Sequence, residues 1–149
     1  MTPSTLSAVD SAIAHAHAIL ASPGLVRHKR RLLDVCIWHV SEAEGKYGVR
    51  YWSEGICDLV AQHGNLKAVR KLRPLPVRHE HVMPRKPLID AMLADPDCVD
   101  RVLRHEVCAC LVTADEHRRL DNHLSGFARY HAAGIRVWDT ETEQWLSSD

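Results

Sequence analysis

Two stretches at the start of the chain each carry apolar residues on one helical face. Over residues 3–22 and again over 25–43, apolar side chains recur every three or four positions, which is the spacing of an amphipathic α-helix. Ser-Pro-Gly at 22–24 interrupts the pattern between them, because proline and glycine both disfavour continuation of a helix. The two segments therefore predict an N-terminal helical hairpin.

The rest of the chain mixes short apolar runs with helical patterns. Alternating or uniformly apolar runs predict strands, and Pro74 and Pro76 forbid a helix just before one of them. The predicted strands cover 49–52, 77–82, 107–112 and 135–138, and the predicted helices cover 53–62, 88–93, 95–104, 113–124 and 127–133. Thr113-Ala114-Asp115-Glu116 fits the capping box that starts a helix. Together these elements predict an α+β fold with a small antiparallel sheet packed by helices.

Length and composition narrow the class of protein. The 149 residues predict a single domain, with a mainly helical region over 1–64, a core over 74–124, and a closing helix and strand over 125–149. No apolar run reaches the roughly 18 residues that a membrane span needs. The five cysteines are scattered and form no C-x-x-C pair, which argues against a zinc ribbon and predicts reduced thiols in a cytoplasmic protein.

Charge is balanced overall but uneven along the chain. The net charge of zero counts against a nucleic-acid-binding protein, yet basic residues crowd around the predicted strand 77–82. We expect five of them to contact a phosphate backbone, Lys71, Arg73, Arg78, Arg85 and Lys86. The alternative for such a run is a solvated surface.

Histidines and carboxylates stand near the same predicted strand and in the capped helix. A regular strand points His81 to one face and Glu80 to the other, so a bend or bulge is needed for the two to share a site. In the predicted helix 113–124, His117 and Asp121 are four residues apart and lie on one face. We therefore expect a divalent ion held by Glu80, His117 and Asp121. Oxygen ligands favour Mg²⁺ or Mn²⁺ and imidazole tolerates Zn²⁺ or Ni²⁺, while His81 is the predicted general base. The alternative is that each of these residues is structural.

Two of these segments resemble the motifs of a known family. Glu80-His81-Val82-Met83-Pro84 resembles the first motif of HNH (ββα-metal) endonucleases, and the run from Leu111 to His117 is similar to their second strand and following helix. The resemblance covers 77–124. It implies that Glu80 and His117 bind the metal, with Asp121 as an additional ligand, and that His81 activates water.

Three functions follow as hypotheses. The first is a metal-dependent endonuclease that cleaves DNA phosphodiester bonds. The second is a non-catalytic HNH-like binding module for a protein or nucleic-acid partner, which the zero net charge and the missing central Asn of the family motif favour. The third is a metal-binding protein rich in histidine, although the 11 histidines are spread along the chain. In each case the N-terminal helices are expected to bind a protein partner or to form a homodimer.

Overall fold

The computed structural model describes residues 6–147, and the chain has the predicted α+β class. Within that range the α-helices are α1 (Ala8–Ala21), α2 (Val26–Ser41), α3 (Glu54–His63), α4 (Leu66–Val69), α5 (Arg85–Ala94), α6 (Val99–Arg101), α7 (Ala114–Arg119) and α8 (Phe127–Ala132). A 3₁₀ turn (Pro96–Cys98) precedes α6, and a π turn (Val102–Glu106) follows it. The strands are β1 (Tyr51–Ser53), β2 (Val77–His81), β3 (Ala109–Thr113), β4 (Val137–Asp139) and β5 (Gln144–Trp145).

The described chain divides into two compact units, each built from two segments. Residues 6–46 and 83–108 form unit 1, which is helical. Residues 47–82 and 109–147 form unit 2, which holds all five described strands together with α3, α4, α7 and α8. The predicted helical region over 1–64 is thus divided between the units, because α3 packs on the sheet of unit 2.

Unit 1 contains the predicted helical hairpin of α1 and α2. The described helix α1 begins after Ser7, whose hydroxyl accepts a hydrogen bond from the backbone N–H of Asp10 and so satisfies one of the free N–H groups of the first turn. Residues 3–5 of the predicted helix lie outside the described residues. The inward faces of α1, α2, α5 and the segment 96–106 share one apolar core, whose fully buried members include Ala16, Leu33, Ile37, Met92, Val99, Val102 and Leu103.

Unit 2 is organised by a mixed sheet. Its strand order is β2-β3-β1-β4-β5, and β1 runs parallel to β3 while the other neighbours are antiparallel. The β2–β3 pair is antiparallel as predicted, but the parallel β1–β3 pair was not predicted. β3 begins at Ala109 rather than at 107, because the N–H of Val107 still bonds to the carbonyl of Val102 in the preceding π turn.

The parallel pair places two helix starts at one edge of the sheet. β1 ends at Ser53 and β3 at Thr113, and each of these residues caps the helix that follows. The buried Glu116 side chain connects the two caps: Oε1 accepts from the Ser53 hydroxyl (2.5 Å) and the Thr113 N–H (2.9 Å), and Oε2 accepts from the Gly55 N–H (3.1 Å). The predicted capping box of Thr113 and Glu116 is therefore confirmed, and it extends to a second helix.

Glycine is required where this carboxylate approaches α3. A Cβ atom on Gly55 would lie 2.7 Å from Oε1 of Glu116 and 2.8 Å from Cγ2 of Thr113. Both distances are far below ordinary van der Waals contact. The absence of a side chain at residue 55 thus lets the α3 backbone reach the carboxylate.

On the other side of β1, an ion pair joins the residue before β1 to the end of β4. Arg50 donates two hydrogen bonds to Asp139, at 2.8 Å and 2.7 Å. The Arg50 guanidinium holds the pKa of the Asp139 carboxyl well below its usual range, since a charged hydrogen-bond donor favours the ionised acid. Bidentate pairing of this kind fixes geometry as well as charge.

None of the helices within residues 6–147 has the length and apolar character that a membrane span requires.

Candidate functional site

Glu80 lies at the centre of a small polar cluster in unit 2. It is on β2, opposite Cys110 of β3, with 15% of its side chain exposed. Its Oε2 is 2.7 Å from Nδ1 of His117 on α7, and its Oε1 accepts a hydrogen bond from Nη2 of Arg129 on α8. The structure therefore brings Glu80 and His117 together, as the order of the motifs predicted, and adds a cation that sequence reasoning missed.

Arg129 reaches Glu80 because α8 starts close to the end of β2. Gly126 precedes α8 with φ of 68°, a left-handed conformation that glycine adopts easily, and its N–H bonds to the carbonyl of Val82, just after β2. Arg129 is only 3% exposed, and a buried arginine needs an anionic partner. No local sequence pattern around Arg129 predicts that its side chain is buried. Only the tertiary structure shows that it pairs with Glu80.

His117 combines a fixed ring with access to solvent. Its side chain is 50% exposed, and its Nδ1 lies 2.7 Å from Oε2 of Glu80 in an ion-pair contact. An ionised carboxylate only accepts hydrogen bonds, so this contact favours the tautomer with the proton on Nδ1. In the neutral imidazole, Nε2 is then the acceptor. The arrangement resembles the carboxylate–histidine pairs that hold an imidazole in one tautomer for proton transfer or metal binding.

His81 does not belong to this cluster. The β2–β3 register runs without interruption from Val77↔Thr113 to His81↔Ala109, so β2 has no bulge and its side chains alternate between faces. His81 lies on the face opposite Glu80, 7% exposed, with its ring centroid 5.3 Å from that of His79. The shared site of Glu80 and His81, which required a bend, is absent from this strand.

Asp121 is likewise not positioned as the helical pattern predicted. α7 ends at Arg119, and Leu120 is extended with φ of −72° and ψ of 127°, so the predicted helix to 124 is wrong. Oδ1 of Asp121 instead accepts from the N–H of His123 at 2.8 Å. Aspartate competes with helix formation through such local hydrogen bonds. Leu120 is also buried, and its extended backbone ends the helix before Asp121. His117 and Asp121 therefore do not share a helical face.

The predicted metal ligands are otherwise engaged. Both oxygens of Glu80 have partners, and among residues 6–147 no three His, Cys, Asp or Glu side chains are grouped to hold an ion. As placed, these side chains do not fit the predicted ion, which would have to displace Arg129 or His117 from Glu80. Binding of Mg²⁺ or Mn²⁺ stays a prediction.

The chain matches no protein-family model, no curated protein and no solved structure. The resemblance to HNH endonucleases thus rests on the two motif segments alone, and the function has to be argued from geometry. In that geometry, β2 and β3 pair antiparallel and α7 follows β3, while α5, α6 and two further helical turns lie between the two strands along the chain.

The five predicted phosphate-binding residues fall in two places. Lys71, Arg73 and Arg78 are exposed in unit 2. Arg78 precedes Glu80 by two residues on β2 and so shares its face, while its Nη1 donates to the carbonyl of Leu75 at 2.8 Å.

The remaining two lie in unit 1. Arg85 donates to both carboxylate oxygens of Asp34, at 2.6 Å and 2.7 Å, and its guanidinium carbon lies 5.0 Å from the ring centroid of Trp38. Lys86 is exposed on the first turn of α5. Arg85 therefore already has an anionic and an aromatic partner within its own unit, and Lys86 is the more accessible cation.

Three of the five cysteines are poorly suited to act as nucleophiles. All five cysteines are free, and burial raises the pKa of Cys57 to about 11. Burial also raises the pKa of Cys36 and of Cys98. These three thiols stay protonated at neutral pH, and a thiol is a much weaker nucleophile than a thiolate.

Proposed function

We propose that the protein is an endonuclease that cleaves DNA phosphodiester bonds, with His117 as the general base in place of His81. The observation that carries the proposal is the 2.7 Å contact between Glu80 Oε2 and His117 Nδ1, made by a ring that is half exposed. This pairing engages Nδ1, and because half of the side chain is exposed, we assign Nε2 as the nitrogen that meets water.

The chemistry follows from three roles. Nε2 of His117 removes a proton from a water molecule as that water attacks phosphorus, and the bond to the leaving oxygen breaks as that oxygen takes up a proton from solvent. Glu80 orients the ring and stabilises the imidazolium that forms, and Arg129 holds Glu80 in place. Exposed Lys71, Arg73 and Arg78 attract the phosphate backbone, so DNA is the proposed partner. The free thiols fit the proposed cytoplasmic location.

A second function has its own supporting observation. Since Arg129 and His117 occupy both oxygens of Glu80, the cluster is also what a non-catalytic HNH-like binding module would retain after losing its metal. Such a module would bind DNA through the same basic residues without cleaving it.

The test is nicking of supercoiled plasmid with Mg²⁺, with Mn²⁺ and with EDTA. We expect His117→Asn to lower the rate by about 100-fold or more, the usual contribution of a general base, and Glu80→Gln to lower it as well, because Glu80 orients that base. His63→Asn is the matched control, because His63 is an exposed histidine of the same unit, and it should leave the rate unchanged.

Each alternative has its own outcome. Loss of nicking in His81→Asn but not in His117→Asn, with both variants folded, would return the base to His81. Activity that EDTA abolishes would establish the predicted metal. DNA binding without nicking under any condition would support the binding module.

A further inference from the structure

The outward face of α2 carries an apolar stripe that unit 1 does not use. Leu32 and Val35 are 51% and 49% exposed, and Leu25 at the start of the helix is exposed as well. With two exposed histidines, the stripe consists of Leu25, His28, Leu32, Val35 and His39. Its spacing alternates between three and four residues, the repeat of about 3.5 that defines a coiled-coil seam. The neighbouring face of α2, which carries Leu33, Cys36 and Ile37, is buried in the core of unit 1, so the stripe extends the apolar surface of this helix beyond the part that unit 1 covers.

Beside the stripe lies a groove between the two helices of the hairpin. It has a volume of about 450 Å³, and Leu32 and Val35 form one wall of it. The other wall is formed by His15, Ala18 and Ile19 of α1 and by Ser22, which follows it, and Ala18 and Ser22 are small. Small side chains let another helix approach closely, because interaxial distance is set by the side chains at the contact. Leu32 and Val35 thus stand at the edge of a groove in which Ala18 and Ser22 leave room for side chains of another helix.

We propose that this surface binds a second copy of the chain, with the two α2 helices antiparallel about a twofold axis. Four of the five stripe residues, His28, Leu32, Val35 and His39, are self-complementary about the midpoint of α2, which falls between Leu33 and Asp34. In an antiparallel pair centred there, Leu32 lies opposite Val35 of the second copy, and His28 lies opposite His39 of the second copy. The overlap covers the whole helix, and a surface that pairs with itself is what a twofold dimer requires.

Charge selects the antiparallel direction. The first half of α2 carries Arg27, Lys29, Arg30 and Arg31, whereas Glu42 and Glu44 follow its last turn. A parallel pair would place the four cations of one copy beside those of the other. The antiparallel pair places Arg27, the first of them, two residues from the position that faces Glu42 of the second copy, and it also opposes the two helix dipoles favourably. The two hairpins then form a four-helix bundle.

Sedimentation velocity over about 1–100 µM tests the proposal, since dimer formation depends on protein concentration. We expect a species of twice the 16.8 kDa chain mass. Leu32→Glu and Val35→Glu should each weaken the dimer by about 30-fold or more, as expected for a hot-spot residue. Leu124→Glu is the matched control, because Leu124 is an exposed leucine of unit 2. Circular dichroism checks that each variant keeps its fold.

Exchanging charges between the two ends of α2 tests whether the two helices pair antiparallel. At low salt, where screening is weak, Glu42→Lys with Glu44→Lys should weaken the dimer by several-fold, and adding Arg27→Glu with Arg31→Glu should restore it. A parallel dimer would have like charges facing each other in the unchanged chain and in both sets of variants, so neither the loss nor the recovery is expected of it. A monomer at all concentrations, or a dimer that Leu32→Glu leaves intact, would overturn the proposal and leave this surface to an unlike partner. The assay needs no nuclease activity, so the two proposals fail separately.

Discussion

Glu80 and Glu116 are two largely buried carboxylates of unit 2 with opposite surroundings. Glu116 accepts hydrogen bonds from two backbone N–H groups and one hydroxyl, all of them neutral donors fixed by the fold. Glu80 instead pairs with two ionisable side chains, one buried and one half exposed. The first carboxylate joins helix starts, and the second controls a ring that can exchange protons with solvent. A buried acid is thus a candidate for chemistry when its partner is ionisable and accessible, and burial alone does not make it one.

The largest effect on stability is expected at Arg129. Replacing it with alanine leaves Glu80 without its buried cation, and removing one member of a buried ion pair costs about 3 kcal/mol or more. Urea unfolding measures the change, and Arg118→Ala is the control. Arg118 pairs with Asp115 at the surface, where such pairs contribute about 0.5 kcal/mol. A loss at Arg129 as small as that at Arg118 would show that Glu80 is not held by this arginine.

A smaller loss of stability is expected when Glu116 is replaced. Glu116→Ala removes the acceptor shared by the starts of α3 and α7, so we expect a loss of about 2–3 kcal/mol from a lost cap and unsatisfied donors. Glu116→Gln retains one acceptor oxygen and should lose less. For comparison, Glu54→Ala changes a partly exposed glutamate in the first turn of α3 that only pairs loosely with Arg136, at 3.7 Å, and should cost about 0.5 kcal/mol or less. If Glu116→Ala and Glu54→Ala lower the free energy of unfolding equally, Glu116 does not hold the starts of α3 and α7 together.

The smallest effect on stability is expected at His117. Asparagine can still donate a hydrogen bond to Glu80, and the ring it replaces is half exposed, so His117→Asn should change the free energy of unfolding by less than about 1 kcal/mol. Under the proposed function, the same change removes nicking. Thermal unfolding followed by circular dichroism, run beside the plasmid assay, measures both. A variant that unfolds as readily as Arg129→Ala would place His117 among the structural residues.

Local signals in the sequence predicted several features that the structure bears out. The helical hairpin follows from apolar spacing in α1 and α2, and the cap at Thr113 follows from a four-residue pattern whose hydrogen bonds are local. The alternation of β2 also predicted that Glu80 and His81 point to opposite faces, because neighbouring side chains in a strand always do. Each of these depends on residues a few positions apart.

The candidate site depended on contacts that no local pattern encodes. Arg129 is 49 residues from Glu80, and Ser53 is 63 residues from Glu116. The end of α7 at Arg119 also overrode a helical pattern that continued to Leu124, since a buried Leu120 and a local Asp121 hydrogen bond outweighed helix propensity.

The sequence by itself thus determined the class of fold, the helical hairpin and the strand that presents Glu80, because periodicity and caps act within one element. The tertiary structure decided which histidine Glu80 meets, that a buried arginine shares it, and that β1 lies parallel to β3. Those outcomes arise from strand pairing and from burial of charge across distant segments, where the free energy comes from contacts made only after the chain has folded.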